Sequence, residues 1–156
     1  MDRGVERAPR PPGGGLVAPP HFATRVTVGT PKVFRVLLVD DEPVIRELVQ
    51  AILDGDGVVV RCVADGARAI PEARRFEPHL VLLDVVLPGL DGLSICRLLR
   101  SDTGLAKVPI YMLTAKARRA DHESARRVGA TGYIEKPFRA QALQELVAEL
   151  RLRPVE

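Results

Sequence analysis

Cysteine is scarce: Cys62 and Cys96 are the only two in 156 residues, and no CxxC or Cys/His ligand spacing surrounds them. A disulfide framework and a zinc site are therefore without support, and the two thiols read as reduced and buried. Long apolar runs are missing as well. None approaches the roughly 18 residues that a membrane span requires, and the N-terminus lacks the apolar stretch of a secretory signal. Nor is there a charge excess along most of the chain. Residues 1–33 hold Arg3, Arg7, Arg10, Arg25 and Lys32 against Asp2 and Glu6, a surplus that equals the formal +3 of the whole sequence. The rest is balanced, which gives no argument for nucleic-acid binding. These absences are read as a cytoplasmic protein with no membrane association.

What is there fits one ordinary globular domain, with 46% hydrophobic and 28% charged residues. Residues 1–33 carry six prolines and five glycines with few bulky apolar residues, and are expected to be a disordered leader. From Phe34 the pattern changes. Phe34 to Val39 is an almost continuously apolar run ending in Asp40 and Asp41, the mark of a strand covered on both faces. Pro43 suits a first helical turn, and Val44, Ile45, Leu48, Val49, Ile52 and Leu53 recur at helical spacing until Gly55 and Gly57. The alternation repeats with strands at 58–63, 79–84, 108–113 and 131–135, and helices at 66–76, 93–100, 118–128 and 140–152. Five strands alternating with five helices predict a parallel sheet with helices on both faces. Pro71 stands past the first turn of its expected helix and should kink or shorten it.

In an open parallel sheet, chemistry gathers outside the carboxyl ends of the strands, where strand order reverses. Asp40 and Asp41 end the first expected strand, Asp84 ends the third, Thr114 follows the fourth and Lys136 follows the fifth. Carboxylates brought so close repel, and at least one pKa should rise unless a hard divalent cation and a lysine compensate. Mg2+ suits such a set because it takes oxygen ligands and keeps several waters. An aspartate oxygen beside it can act as a nucleophile toward phosphorus. Lys136 and Thr114 then stand where charge develops on phosphoryl oxygens. Taken singly, each residue has a plainer use as a helix cap, a loop residue or a surface charge.

Four blocks in order, VLLVDDEP (36–43), VLLDVVLPGLDG (81–92), PIYMLTA (109–115) and GYIEKPF (132–138), resemble the response-regulator receiver domains. The resemblance spans about Phe34 to Leu152, with the domain placed at 34–153. It implies a flavodoxin-like (βα)5 fold of strand order 2-1-3-4-5 and a phosphoacceptor signalling protein rather than an enzyme. By that resemblance Asp84 is the phosphoacceptor, Asp41 a direct Mg2+ ligand, Asp40 a support of the metal shell, and the Val86 carbonyl a further ligand. Thr114, the Ala115 N–H and Lys136 would hold the phosphoryl group. Tyr133 would be an aromatic switch coupled to Thr114, and the Lys136-Pro137 bond would be cis. Gly89 and Gly92 would supply backbone freedom near the site.

The donor would be a sensor histidine kinase or a phosphotransfer protein. Val86 and Lys116 flank the approach of attacking water, and neither can position it as a carboxylate or amide could, so self-dephosphorylation is expected to be slow. Few residues follow Leu152. Output is therefore expected through a protein partner, without direct DNA binding, with phosphorylation-dependent homodimerisation as a further possibility. Lys116, Arg118, Arg119, Arg126 and Arg127 would give the fourth helix a basic face. Three rival readings share this fold: a receiver-like binding module that is never phosphorylated, an aspartate phosphohydrolase, and a flavin mononucleotide protein. The complete acidic set argues against the first. Val86, where the second needs an acid, argues against that one. Asp40, Asp41 and Glu42, which would repel a phosphate, argue against the third.

Overall fold

The computed structural model describes residues 33–115 and 119–153. The expected leader and the roles given to Lys116 and Arg118 lie outside the described residues. The elements follow in the order β1 (Phe34–Val39), α1 (Pro43–Leu53), β2 (Val58–Val63), α2 (Ala69–Phe76), β3 (Leu80–Asp84), α3 (Gly92–Ser101), β4 (Ile110–Thr114), α4 (Arg119–Arg127), β5 (Gly132–Glu135) and α5 (Ala140–Leu152). The strands form one parallel sheet of order β2-β1-β3-β4-β5. The chain leaves β1 toward one edge and then works toward the other, which places the reversal between β1 and β3. Among the described residues, no helix is long and apolar enough to cross a membrane.

Each face of the sheet is covered by helices, so alternate side chains of a strand enter different cores. Leu37, Val39, Val81, Leu83, Ile110 and Met112 pack with residues of α2, α3 and α4. Val36, Leu38, Leu80, Leu82 and Leu113 pack with residues of α1 and α5. That double cover is why β3 reads as an unbroken apolar run and why all five of its residues are buried.

Local chemistry sets the boundaries. Pro43 opens α1, and the chain leaves it through positive-φ residues at Gly55, Asp56 and Gly57. The α1 stripe is narrower than its apolar residues suggest: Val49 and Leu53 are buried and Ile45 and Ile52 pack beside them, while Val44 and Leu48 face solvent. Pro71 shortens its helix, as expected. Residues Gly66–Arg68 form a 3-10 turn and α2 starts at Ala69, which leaves Pro71 in the first α-turn, where its missing N–H is not needed.

Two side chains brace loops far apart in sequence. Arg100 in α3 donates from Nε to the Gly129 carbonyl (2.7 Å), from Nη1 to the Val108 and Ala106 carbonyls (2.6 and 3.2 Å), and from Nη2 to Thr131 Oγ1 (3.3 Å). It ties the approach to β4 to the turn before β5. Between the interior strands β1 and β3, the Arg35 backbone N–H donates to His79 Nδ1 (2.9 Å), and the His79 ring stacks on Phe34. Nδ1 is therefore an acceptor, and the imidazole is neutral.

Candidate functional site

Strand register alone brings the acidic residues together. Val39 pairs with Leu83, so Asp40 and Asp84 emerge side by side; Asp84 pairs with Leu113, and Thr114 with Glu135. Asp40 has no solvent exposure and Asp84 and Thr114 are buried, while Asp41 is exposed. Asp40, Asp41 and Asp84 each offer a carboxylate oxygen, and the three oxygens lie within 4.8 Å of one another.

Lys136, carried just past β5, reaches back across the sheet. Its ammonium donates to Asp40 Oδ2 at 2.8 Å and to Asp84 Oδ2 at 3.2 Å, with Glu42 Oε1 at 3.7 Å. The other Asp40 oxygen accepts from the Glu42 backbone N–H (2.9 Å), and the Asp40 carbonyl accepts from Arg46 Nη1 (3.0 Å). Asp84 Oδ1 accepts from the Val86 N–H (3.1 Å). Both carboxylates are thus held at each oxygen.

Burial pushes the Asp84 carboxyl above the ordinary carboxylate range, and the Asp40 charge adds to this, while the Val86 N–H and Lys136 pull it back only in part. The direction is the one expected from crowding, but loss of hydration is the larger cause. Burial works against the Lys136 ammonium, yet Asp40 and Asp84 outweigh it and hold its pKa above the usual lysine value.

Three carboxylates facing one ammonium leave a local excess of negative charge, and every donor is a hard oxygen. That set fits a small divalent cation. Val86, whose carbonyl was expected to help, points its side chain outward at 78% exposure. Ala115 follows Thr114 at the end of β4 and is exposed. The Lys136-Pro137 bond is cis.

The two loop glycines differ from expectation in one respect. Gly89 has φ +77° and does supply left-handed backbone. Gly92 instead supplies room, because a Cβ there would overlap the Asp84 carbonyl and meet Val85 Cα at 2.9 Å. It starts α3 against the backbone that carries the acceptor, and the Asp91 side chain caps that helix through the Ser94 N–H (2.8 Å).

Tyr133 is half exposed and stacks on His122 of α4, with ring centroids 3.5 Å apart. Sequence reasoning singled out Tyr133 but not His122, nor Arg46 behind Asp40. Arg46 had a findable signal, since it stands one turn into a helix that opens directly after the two aspartates.

The family model of the response regulator receiver domain matches residues 36–148. The DNA-binding response regulator MtrA of Mycolicibacterium smegmatis is 43% identical over 119 residues, which are 76% of this chain and 50% of that protein. The transcriptional regulatory protein CseB of Streptomyces coelicolor is 41% identical over 116 residues, 74% of this chain and 47% of that one. The chain spans about half the length of these curated relatives. Among solved structures, the Vibrio cholerae chemotaxis protein CheY4 superposes with a TM-score of 0.72 at 30% identity, over 76% of this chain and 98% of that one. The receiver domain of the sensor histidine kinase PA1611 from Pseudomonas aeruginosa, described with a magnesium ion coordinated in its active-site cleft, gives 0.69 at 36% identity, over 76% and 97%.

Proposed function

The chain belongs to the response regulator receiver domain family of two-component systems, and from that premise we propose that Asp84 accepts a phosphoryl group from a phosphohistidine on a sensor kinase or phosphotransfer protein. The observation that carries this is the Lys136 ammonium bridging Asp40 and Asp84 beside the Asp41 carboxylate, at the reversal of strand order.

An Asp84 carboxylate oxygen attacks phosphorus, the O–P bond forms, and the P–N bond to the donor imidazole breaks. The imidazole nitrogen leaves with the bonding pair. Lys136 is already fixed within hydrogen-bond distance of Asp84, so its positive charge is in place as the phosphoryl oxygens gather negative charge. The Val86 N–H orients the carboxylate. Thr114 and the Ala115 N–H, at the end of the neighbouring strand, hold the transferred group. Asp40, Asp41, Asp84 and the Val86 carbonyl would hold Mg2+, which when bound offsets the carboxylate charge and that of the phosphoryl oxygens. Positioning and charge do most of the catalysis, so the chain is a substrate of its donor as much as a catalyst.

The phosphoryl group then biases a two-state equilibrium through Thr114, Lys136 and Tyr133, and a protein partner reads the result. Exposed, apolar Val86 cannot position an attacking water, so the adduct persists well beyond seconds. The test is intact mass after incubation with Mg2+ and a small phosphodonor. One phosphoryl adduct, abolished by a chelator and stable over minutes after donor removal, supports the reading. Absence of an adduct, or a lifetime of seconds, contradicts the acceptor role or its slow turnover respectively.

A further inference from the structure

Asp40 follows β1 with each of its polar atoms held. Its N–H donates to the Val63 carbonyl (3.0 Å), its Oδ1 accepts from the Glu42 N–H, and its Oδ2 accepts from Lys136. In a strand, the carbonyl of a residue faces the same side as its N–H. The Asp40 carbonyl therefore points toward β2, but it lies past the last β1–β2 pair, Val39 with Val63. Among the described residues no backbone donor meets it there, and Arg46 Nη1 donates to it instead (3.0 Å).

Asp41 is the opposite case. It is exposed, and its carboxylate makes no hydrogen bond or ion pair among the described residues. Its direction is set by the backbone. The peptide before it carries the Asp40 carbonyl, which Arg46 fixes; the peptide after it carries the Glu42 N–H, which Asp40 Oδ1 fixes at 2.9 Å. With both planes pinned, so are φ and ψ of Asp41, the two soft dihedrals of that residue. Its Cβ then has one direction, and a carboxylate oxygen lies within 4.8 Å of those of Asp40 and Asp84.

A cation beside three carboxylates has another obvious use, which is to neutralise them. The contacts argue against it. No ion pair joins Arg46 to a carboxylate among the described residues, and its side-chain hydrogen bond goes to a neutral carbonyl. Lys136 makes the charge contacts. The Arg46 N–H also donates to the Glu42 carbonyl (3.2 Å), so one residue closes the first turn of α1 and secures the loop before it.

We propose that Arg46 is a positioning residue for Asp41: by holding the Asp40 carbonyl, it aims the Asp41 carboxylate at the place of the divalent cation. The inference rests on the metal set read for this site and adds a residue outside that set. The two uses of Arg46 have opposite signs. A side chain that only adds positive charge weakens Mg2+ binding, so its loss tightens it. A side chain that orients a ligand strengthens binding, and its loss costs about tenfold in affinity.

The test uses the full chain as parent, Arg46→Met and Arg46→Lys. Methionine keeps the apolar stem without donor or charge, while lysine keeps the charge and a donor. Nitrogen-15 relaxation of the metal-free protein reads the backbone order of Asp41. Mg2+ alone is then titrated while amide shifts are followed, which gives the dissociation constant. Positioning predicts that in Arg46→Met the Asp41 order parameter falls from the rigid range of about 0.85 toward about 0.6, and that Mg2+ binds about tenfold more weakly. Arg46→Lys recovers most of both. Retained order at Asp41 in Arg46→Met, Mg2+ binding as tight as in the parent or tighter, or Arg46→Lys no better than Arg46→Met overturns the proposal. A parent that binds no Mg2+ overturns the metal set itself, and the positioning with it.

Discussion

Lys136 is bonded more closely to Asp40, at 2.8 Å, than to Asp84, at 3.2 Å. The cation is shared between the end of β1 and the proposed acceptor. It compensates two buried carboxylates at once, and its side chain is itself only 12% exposed. Removing it leaves neither with an ion pair to a side-chain cation among the described residues.

Lys136→Met should therefore lower stability in metal-free buffer by about 3 kcal/mol, the usual cost of stripping one partner from a buried pair. Millimolar Mg2+ should recover part of that loss, because a divalent cation can take over the compensation. Urea midpoints with and without Mg2+ check both statements. An unchanged midpoint in the metal-free variant contradicts the first.

Gly92→Ala places a methyl against the backbone of Asp84 and Val85. Relieving that overlap must move either the end of β3 or the start of α3, at a cost of about 1–3 kcal/mol. Phosphorylation should slow with it, since the displaced residue is the acceptor. Gly89→Ala meets no atom within 4 Å but sits at φ +77°, so it should cost about 1 kcal/mol through backbone strain alone. A rate loss confined to Gly92→Ala distinguishes the two effects.

Arg100 satisfies several backbone carbonyls through a planar fork that a lysine cannot reproduce. Arg100→Lys should destabilise by about 2 kcal/mol, as carbonyls lose their donors. Hydrogen exchange should speed up at the start of β4 and in the turn before β5 together. Loosening of one alone would contradict a shared brace.

His79 supplies one part of the pH dependence of stability. Burial, and then the Arg35 charge, depress its pKa below the ordinary histidine value. The unfolded chain therefore binds the proton more readily than the folded one. This contribution to stability is complete above the unfolded value of about 6.5 and is lost as pH falls toward the depressed folded value. Protonation also cancels the acceptor that holds the Arg35 N–H. His79→Asn, whose Oδ1 can accept that bond at any pH, should flatten the fall in urea midpoint between pH 8 and pH 5. An unaltered slope would place the titration elsewhere.

Much of this was legible in the sequence because it is written in local patterns. The apolar run of β3, the paired aspartates after β1 and the lysine before Pro137 each follow from strand ends whose positions periodicity reveals. The cluster then follows from topology, since parallel strands end on one edge. Pro71 marked a shortened helix, and its position in the first α-turn gives the reason.

The unread parts depend on contacts between distant segments. Arg100 looks like any polar residue of an amphipathic helix, and only the fold brings Val108 and Gly129 within its reach. His122 sits in a helix dense with charge, where no spacing marks it as the partner of Tyr133. Gly92 was read as a source of backbone freedom, whereas its use is the absence of a side chain against β3. Val44 and Leu48 fit the helical period of α1 and still face solvent, because the core takes only one stripe of it.

The central claim is that Asp84 itself carries the phosphoryl group. The most direct test is peptide mapping by mass spectrometry of the parent and Asp84→Asn, each incubated with Mg2+ and a small phosphodonor under the same conditions. The account predicts an acid-stable, base-labile adduct on the parent peptide containing Asp84 and none on the variant. An adduct on another residue, an equal adduct on Asp84→Asn, or none on the parent where a known receiver is modified would contradict it.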